Sequence, residues 1–285
     1  MSARRGREIS IGAIKRAHAQ LATVLGSPGV GKSTSTSALV GAYRRRGLRV
    51  GVLAIDPSSP FSGGALLGDR VRMQEHATDD GVFIRSMASR GHLGGLSWAT
   101  PQALRVLSAA GCDVVLIETV GVGQAEVEIA SLADTTLVLL APGMGDGIQA
   151  AKAGILEIAD VFVVNKADRD GADTVARDLR QLLSYQSVAG WTVPIVKTVA
   201  SRGEGVEEVV DAIEAHCAWL EVSGLLEQRR VRRAAGEIEA IALTALRSRI
   251  GDLHGTEALG TLALQVVQGA LDPYAAADVL VESLT

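Results

Sequence analysis

Along residues 21–220, short unbroken apolar runs alternate with stretches whose apolar positions recur at helical spacing. The runs are Leu21–Leu25, Leu48–Ile55, Val82–Met87, Val114–Glu118, Thr136–Leu140, Val161–Asn165 and Ile195–Thr198. Helical spacing falls at 33–45, 69–77, 99–110, 148–159, 172–184 and 206–220. Runs that are apolar throughout, rather than at every second position, are strands covered on both faces. The βαβ rhythm predicts an α/β fold: a doubly wound, mostly parallel sheet with right-handed crossovers. Such a sheet gathers its functional loops beyond the carboxyl ends of the strands. Ahead of it, residues 8–20 (Ile9, Ile11 and Ile14 apolar) predict a short amphipathic helix. After Glu221 the strand signals stop: 225–250 is rich in Arg, Glu, Ala and Leu, and two short helices follow, one opened by Asp272-Pro273. Three parts are expected: an N-terminal helical segment (1–20), an α/β domain (21–220) and a helical C-terminal extension (221–285).

Composition narrows the setting. With 285 residues, 47% of them apolar, the chain buries a sizeable core and is not disordered. No apolar run approaches the ~20 residues of a membrane-spanning helix. The basic start, MSARRGREIS, lacks a following apolar stretch and does not read as a secretory signal. Cys112 and Cys217 form no CxxC pair, which suits a reducing compartment, and a cytoplasmic location is expected. A net charge of −4 argues against a nucleic-acid-coating role. The run Arg229, Arg230, Arg232 and Arg233 has no interleaved aromatics; it reads as a solvated helix face or an intersubunit contact. No nucleic-acid or membrane partner is expected.

The chemistry starts where the first strand ends. Gly26-Ser27-Pro28-Gly29-Val30-Gly31-Lys32-Ser33 fits G-x-x-x-x-G-K-[ST] at every fixed position, between a strand and a helix, and Thr34 follows it. Its glycines bring backbone N–H groups up to phosphate oxygens, Lys32 reaches the β- and γ-phosphates, and Ser33 offers its hydroxyl to Mg²⁺. The helix beginning there turns its positive end to the anion. Asn165-Lys166-Ala167-Asp168, at the end of a later strand, matches N-K-x-D. An aspartate at that place accepts from both the ring N–H and the amine of guanine, a pair adenine cannot form, worth ~10⁴-fold in discrimination where a site is built for it. Thr198-Val199-Ala200-Ser201 stands where it can back the base. Glu118-Thr119-Val120-Gly121 puts a carboxylate at a strand end for Mg²⁺ or its water, and Gly121 near the γ-phosphate. Asp56 and Asp69 supply further oxygen ligands for a hard cation, with a helix N-cap an equal reading for Asp69 on spacing alone. Val122 occupies the place of the water-orienting glutamine of Ras-like proteins, so slow unassisted GTP hydrolysis is expected.

These motifs together resemble the MeaB/ArgK-type GTPases. The resemblance rests on GSPGVGKST (26–34), AIDPSSPFSGGALLGDRVRM (54–73), ETVGVGQAEVEIA (118–130), PGMGDGIQAAKAGILEIAD (142–160), VVNKAD (163–168) and GALDPYAAADVL (269–280). It implies a P-loop GTPase of the SIMIBI branch that works with GTP/GDP and Mg²⁺. It further implies a chaperone that gates cofactor loading and protects an adenosylcobalamin-dependent acyl-CoA mutase, and a homodimer formed through the helical extension. Ser33, Asp56, Asp69 and Glu118 fall on the family's Mg²⁺ and switch positions. The loop Ala141–Lys152 falls on its mobile third switch, with Asp146 and Lys152 as charged contacts. Two other readings stand beside it. A metal-insertion GTPase would need soft Cys and His ligands. A small-molecule kinase or ATPase would have no use for N-K-x-D.

Overall fold

The computed structural model describes residues 19–57, 73–89, 99–119, 129–143, 156–184, 190–250 and 257–283. Within them seven parallel strands form one sheet: β1 (Gln20–Leu25), β2 (Val50–Pro57), β3 (Val82–Ser89), β4 (Val114–Thr119), β5 (Thr135–Leu140), β6 (Val161–Asn165) and β7 (Ile195–Thr198). The order is β3-β2-β4-β1-β5-β6-β7. The α/β fold with its parallel sheet is as the hydrophobic pattern predicts. β1 lies between β4 and β5, so chain crossovers leave it in both directions, and the crevice at its carboxyl end is where such sheets take ligands.

The helices are α1 (Lys32–Arg45), α2 (Ala99–Ala109), α3 (Ala172–Leu183), α4 (Val206–Val222), α5 (Leu225–Ile250), α6 (Glu257–Val267) and α7 (Pro273–Glu282). Successive strand residues feed opposite layers. Ala22, Val24, Val52, Leu116 and Leu137 pack with Leu39 and Tyr43 of α1 and Val210 and Ile213 of α4. Leu21, Leu53, Val115 and Ile117 pack with Leu104 and Leu107 of α2 on the other face. Leu25, Val138, Leu140 and Phe162 meet Ala176 and Leu179 of α3. That two-sided burial is why the strands carry no apolar-polar alternation.

Several boundaries move, each for a local reason. β2 starts at Val50, not Leu48, because Leu48 N–H donates to the Tyr43 carbonyl (3.1 Å) and Gly47 N–H to that of Arg44 (2.9 Å), closing α1 with glycine in the left-handed region. Of the helix predicted at 69–77, the described part is one 3₁₀ turn, Gln74–His76, after which Asp79 turns the chain into β3. Of the helix predicted at 148–159, the described part is likewise a 3₁₀ turn, Leu156–Ile158, since Asp160 N–H already bonds Thr136 in the neighbouring strand. At the end of the helix predicted over 8–20, Ala19 is in no regular element. Gln20 opens β1, its N–H held by the Asp113 carbonyl at 2.9 Å.

The chain divides into two compact units, Met1–Arg233 and Ala234–Thr285. In the second, α6 packs on α7, whose first turn is capped by Asp272: its carboxylate accepts from Tyr274 N–H (2.8 Å) and Ala275 N–H (3.1 Å), with Pro273 at the first helical position. In the first unit the arginine run corrects the sequence reading of a solvated or intersubunit face. Arg229 makes a bidentate pair with Asp160 (2.9 and 3.0 Å) and also donates to the Asp134 carbonyl (2.8 Å). Arg230 and Arg233 reach the buried Asp134 carboxylate at 3.1 and 3.3 Å. Asp134 and Asp160 immediately precede β5 and β6, so these arginines fasten the start of α5 to the amino-terminal edge of the sheet.

Candidate nucleotide-binding site

β1 delivers the chain to Gly26 at the carboxyl edge, and the loop to Gly31 leads into α1. Two glycines in it are dictated by close approach. At Gly26 (φ +147) a Cβ would stand 2.5 Å from the Leu139 carbonyl oxygen. At Gly31 (φ +96), the residue ahead of α1, it would stand 2.5 Å from Asn165 Nδ2. Val30 is buried in the core and anchors the loop, while Pro28 and Gly29 are exposed. Ser27 and Ser33 are half-buried and Thr34 is exposed. Lys32 is buried, and its Nζ donates to the carbonyls of Gly26 and Ser27 (3.2 Å for the latter), so a positive charge sits within the loop's curve.

Ser33, in the first turn of α1, donates its hydroxyl to Glu118 Oε1 at 2.5 Å. Glu118 is fully buried near the end of β4. Two oxygen donors therefore meet beside the phosphate loop, and an all-oxygen set is what Mg²⁺ takes. The residues present fit that cation. Asp56 is the penultimate residue of β2, in register with Ala88, which places its backbone at the same carboxyl edge. Asp69, Gly121, Asp146 and Lys152 lie outside the described residues.

The N-K-x-D segment is joined to the loop. Asn165 Nδ2 donates to the Val30 carbonyl at 2.9 Å, and its Oδ1 accepts from Thr198 Oγ1 and Ala200 N–H, both at 3.1 Å. One buried amide thereby ties β6, the phosphate loop and the turn after β7. Lys166 has φ +56, uncommon outside glycine, and its Nζ donates to the Gly29 carbonyl at 2.6 Å. Asp168 stands in the next turn with Arg202 Nη2 at 3.4 Å from its Oδ2, and Ser201 is exposed beside it. The structure thus brings Gly26–Ser33, Glu118, Asn165–Asp168 and Ala200 to one edge. The Lys166 bond to the loop and Arg202 were not read from the sequence. Arg202 has no motif of its own; only its position two residues after Ala200 in the turn following β7 could have raised it.

The soft-ligand reading finds no support in this geometry. Among the described residues no group of three or more His, Cys, Asp or Glu is placed to hold a metal ion. Cys112 belongs to the core, and Cys217 Sγ accepts from Gln20 Nε2 at 2.9 Å.

A phosphate-type loop at the switch point of a parallel sheet, locked to an N-K-x-D turn, defines a P-loop nucleotide-binding protein. The chain belongs to the MeaB family: residues 10–253 match the family described as methylmalonyl Co-A mutase-associated GTPase MeaB. It is 48% identical over 272 residues to a GTPase of Pyrococcus horikoshii, covering 94% of this chain and 85% of that protein. It is 34% identical over 264 residues to the mouse mitochondrial methylmalonic aciduria type A homolog, covering 90% of this chain and 64% of that one. Among solved structures, a LAO/AO transport system kinase superposes with a TM-score of 0.70 at 27% identity, over 99% of this chain and 89% of that one. The chain is therefore a GTPase: GTP and GDP are its nucleotides and Mg²⁺ its cation. Among the described residues no helix is long and apolar enough to cross a membrane.

Proposed function

We propose that this GTPase is a chaperone that gates cofactor loading into, and protects, an adenosylcobalamin-dependent acyl-CoA mutase. The observation that carries the reading is the match to a mutase-associated GTPase family along residues 10–253, in a chain whose phosphate loop and N-K-x-D turn are both in place. The mouse relative's name, methylmalonic aciduria type A homolog, supports the same partner class. In this reading the Gly26–Thr34 loop holds the phosphates, Lys32 offsets their charge, and Ser33 with Glu118 holds Mg²⁺, joined by Asp56 and Asp69. Bound there, the cation would neutralise charge developing between the β- and γ-phosphates. Asp168 reads guanine with Asn165, Lys166, Ala200 and Ser201 around it. Gly121, Lys152 and the loop 141–152 couple the nucleotide to the partner. The free cysteines suit a cytoplasmic setting.

Positioning without a water-orienting glutamine makes hydrolysis slow. Single-turnover GTP hydrolysis by the chain alone is expected near the unassisted Ras rate, about 4 × 10⁻⁴ s⁻¹. Adding an adenosylcobalamin-dependent methylmalonyl-CoA-type mutase is expected to raise it by about tenfold or more. Fast turnover with no partner present, or no response to any mutase of the class, removes the chaperone reading.

We propose in addition that the helical extension forms a homodimer. Ile238 and Leu246 of α5, Leu264 and Val267 of α6 and Tyr274 of α7 are all at least half exposed, an apolar burden that a second copy would cover. Light scattering after size exclusion is expected to give twice the chain mass; a single-chain mass at micromolar concentration refutes it.

A further inference from the structure

The two loops at the base side of the site are knitted at the backbone. Ala167 N–H donates to the Thr198 carbonyl at 2.9 Å, and Asn165 Oδ1 takes both Thr198 Oγ1 and Ala200 N–H. Beyond Ala200 the chain turns tightly: Arg202 N–H donates to the Val199 carbonyl (2.8 Å) and Val199 N–H to that of Glu204 (3.0 Å). Gly205 (φ +74) closes the turn so narrowly that a Cβ there would stand 2.1 Å from the Lys197 carbonyl oxygen. The backbone carrying Arg202 is therefore fixed relative to the backbone carrying Asp168. Asp168's side chain, by contrast, is 36% exposed on an open turn, and the structure holds Arg202 Nη2 at 3.4 Å from its Oδ2. Glu204, 3.8 Å from Arg202 Nη1, keeps the guanidinium at this rim.

An exposed ion pair of this kind contributes little to stability. Its effect is on orientation: a carboxylate that must accept two bonds from one base edge loses less freedom on binding if one of its oxygens is already held in place. We infer that Arg202 is a specificity-positioning residue, holding Asp168 by one oxygen so that the carboxylate meets the ring N–H and the amino group of guanine together. This rests on the proposed reading of guanine by Asp168. Arg202 reaches one oxygen only, so it restrains where Oδ2 lies; a lysine ammonium on its flexible stem, without the second donor that Glu204 steadies, would hold that oxygen less firmly.

The test compares GTP with ITP, whose base keeps the ring N–H but lacks the amino group, by displacement of a fluorescent guanine nucleotide. Arg202→Ala is expected to lower GTP affinity by about three- to tenfold and ITP affinity less, moving the GTP:ITP ratio toward one. Arg202→Lys is expected to recover only part of the ratio. In Asp168→Asn, the further change Arg202→Ala is expected to have no effect on it. An Arg202→Ala protein with the wild-type GTP:ITP ratio, or with tighter GTP binding, overturns the role of Arg202 while Asp168→Asn still loses GTP. An Asp168→Asn protein that binds GTP like wild type overturns the underlying guanine reading instead.

Discussion

Asp168→Asn is expected to weaken GTP binding by about 10²–10³-fold and to strengthen xanthosine triphosphate by about tenfold or more. The size follows from two hydrogen bonds to a charged acceptor, each worth about 1.5–3 kcal/mol, taken toward the lower side because the Asp168 side chain is 36% exposed. The sign for xanthine follows from its base edge: a carbonyl replaces the amine, and the asparagine NH₂ can donate to it where a carboxylate can only repel. Equilibrium titration with GTP, xanthosine triphosphate and ATP decides it. Asn165 and Lys166 would be poor choices for the same experiment. Their bonds to Val30 and Gly29 hold the phosphate loop itself, so their loss would lower affinity for every nucleotide alike. Asp168 makes no bond of that kind among those described, and its substitution reports on the base alone.

The fold was legible because burial on both faces leaves its mark on each strand directly. Leu21–Leu25 and Val161–Asn165 are apolar and buried almost throughout, and their strands begin and end within a residue of the hydrophobic pattern. Where the boundary depended on a bond rather than on burial, the pattern overran it. Leu48 is apolar, but its N–H closes α1 and is not free for the ladder. The phosphate loop and N-K-x-D were legible because glycine spacing and amide chemistry are local. The contact between them, Asn165 to Val30, spans 135 residues and could be placed only by the sheet.

The arginine run was legible as charge but not as contact. Its partners, Asp134 and Asp160, are 69 to 99 residues away in sequence, and each is an acid set just before an apolar strand. A carboxylate at the buried mouth of a strand, repeated at two neighbouring strands, is a signal that a cation must come from elsewhere. Arg229, Arg230 and Arg233 are that cation source, while the run's remaining member, Arg232, is exposed.

Asp160→Asn is expected to destabilise the chain by about 2–3 kcal/mol at pH 7, seen as a fall of roughly 3–6 °C in the unfolding midpoint. Asp160 accepts two bonds from Arg229 and one from Thr136 N–H (2.8 Å), and faces Nε2 of the fully buried His216 at 3.2 Å. His216 in turn is bonded through Nδ1 to Thr135 (2.9 Å), stacks on Trp219 and meets Trp191 at a tilt. Neutralising the acid leaves the Arg229 guanidinium facing a neutral amide; the cost falls below the usual range for breaking a buried pair because Arg229 is 37% exposed. Burial by itself would raise the carboxyl pKa of Asp160, but the adjacent His216 and the bonds from Arg229 outweigh it and hold the value below the usual carboxylate range. A pKa lower in the folded than in the unfolded chain gives stability that is fully present above about pH 4 and is lost as pH falls through the folded-state value. The difference between wild type and Asp160→Asn should therefore shrink as pH falls below about 4. Urea melts across that range, followed by the fluorescence of Trp191 and Trp219 beside the cluster, measure it. A pH-independent difference would show that the charge on Asp160 does not carry the anchor of α5, and that the arginines bind there through the carbonyls of Asp134 and Leu132.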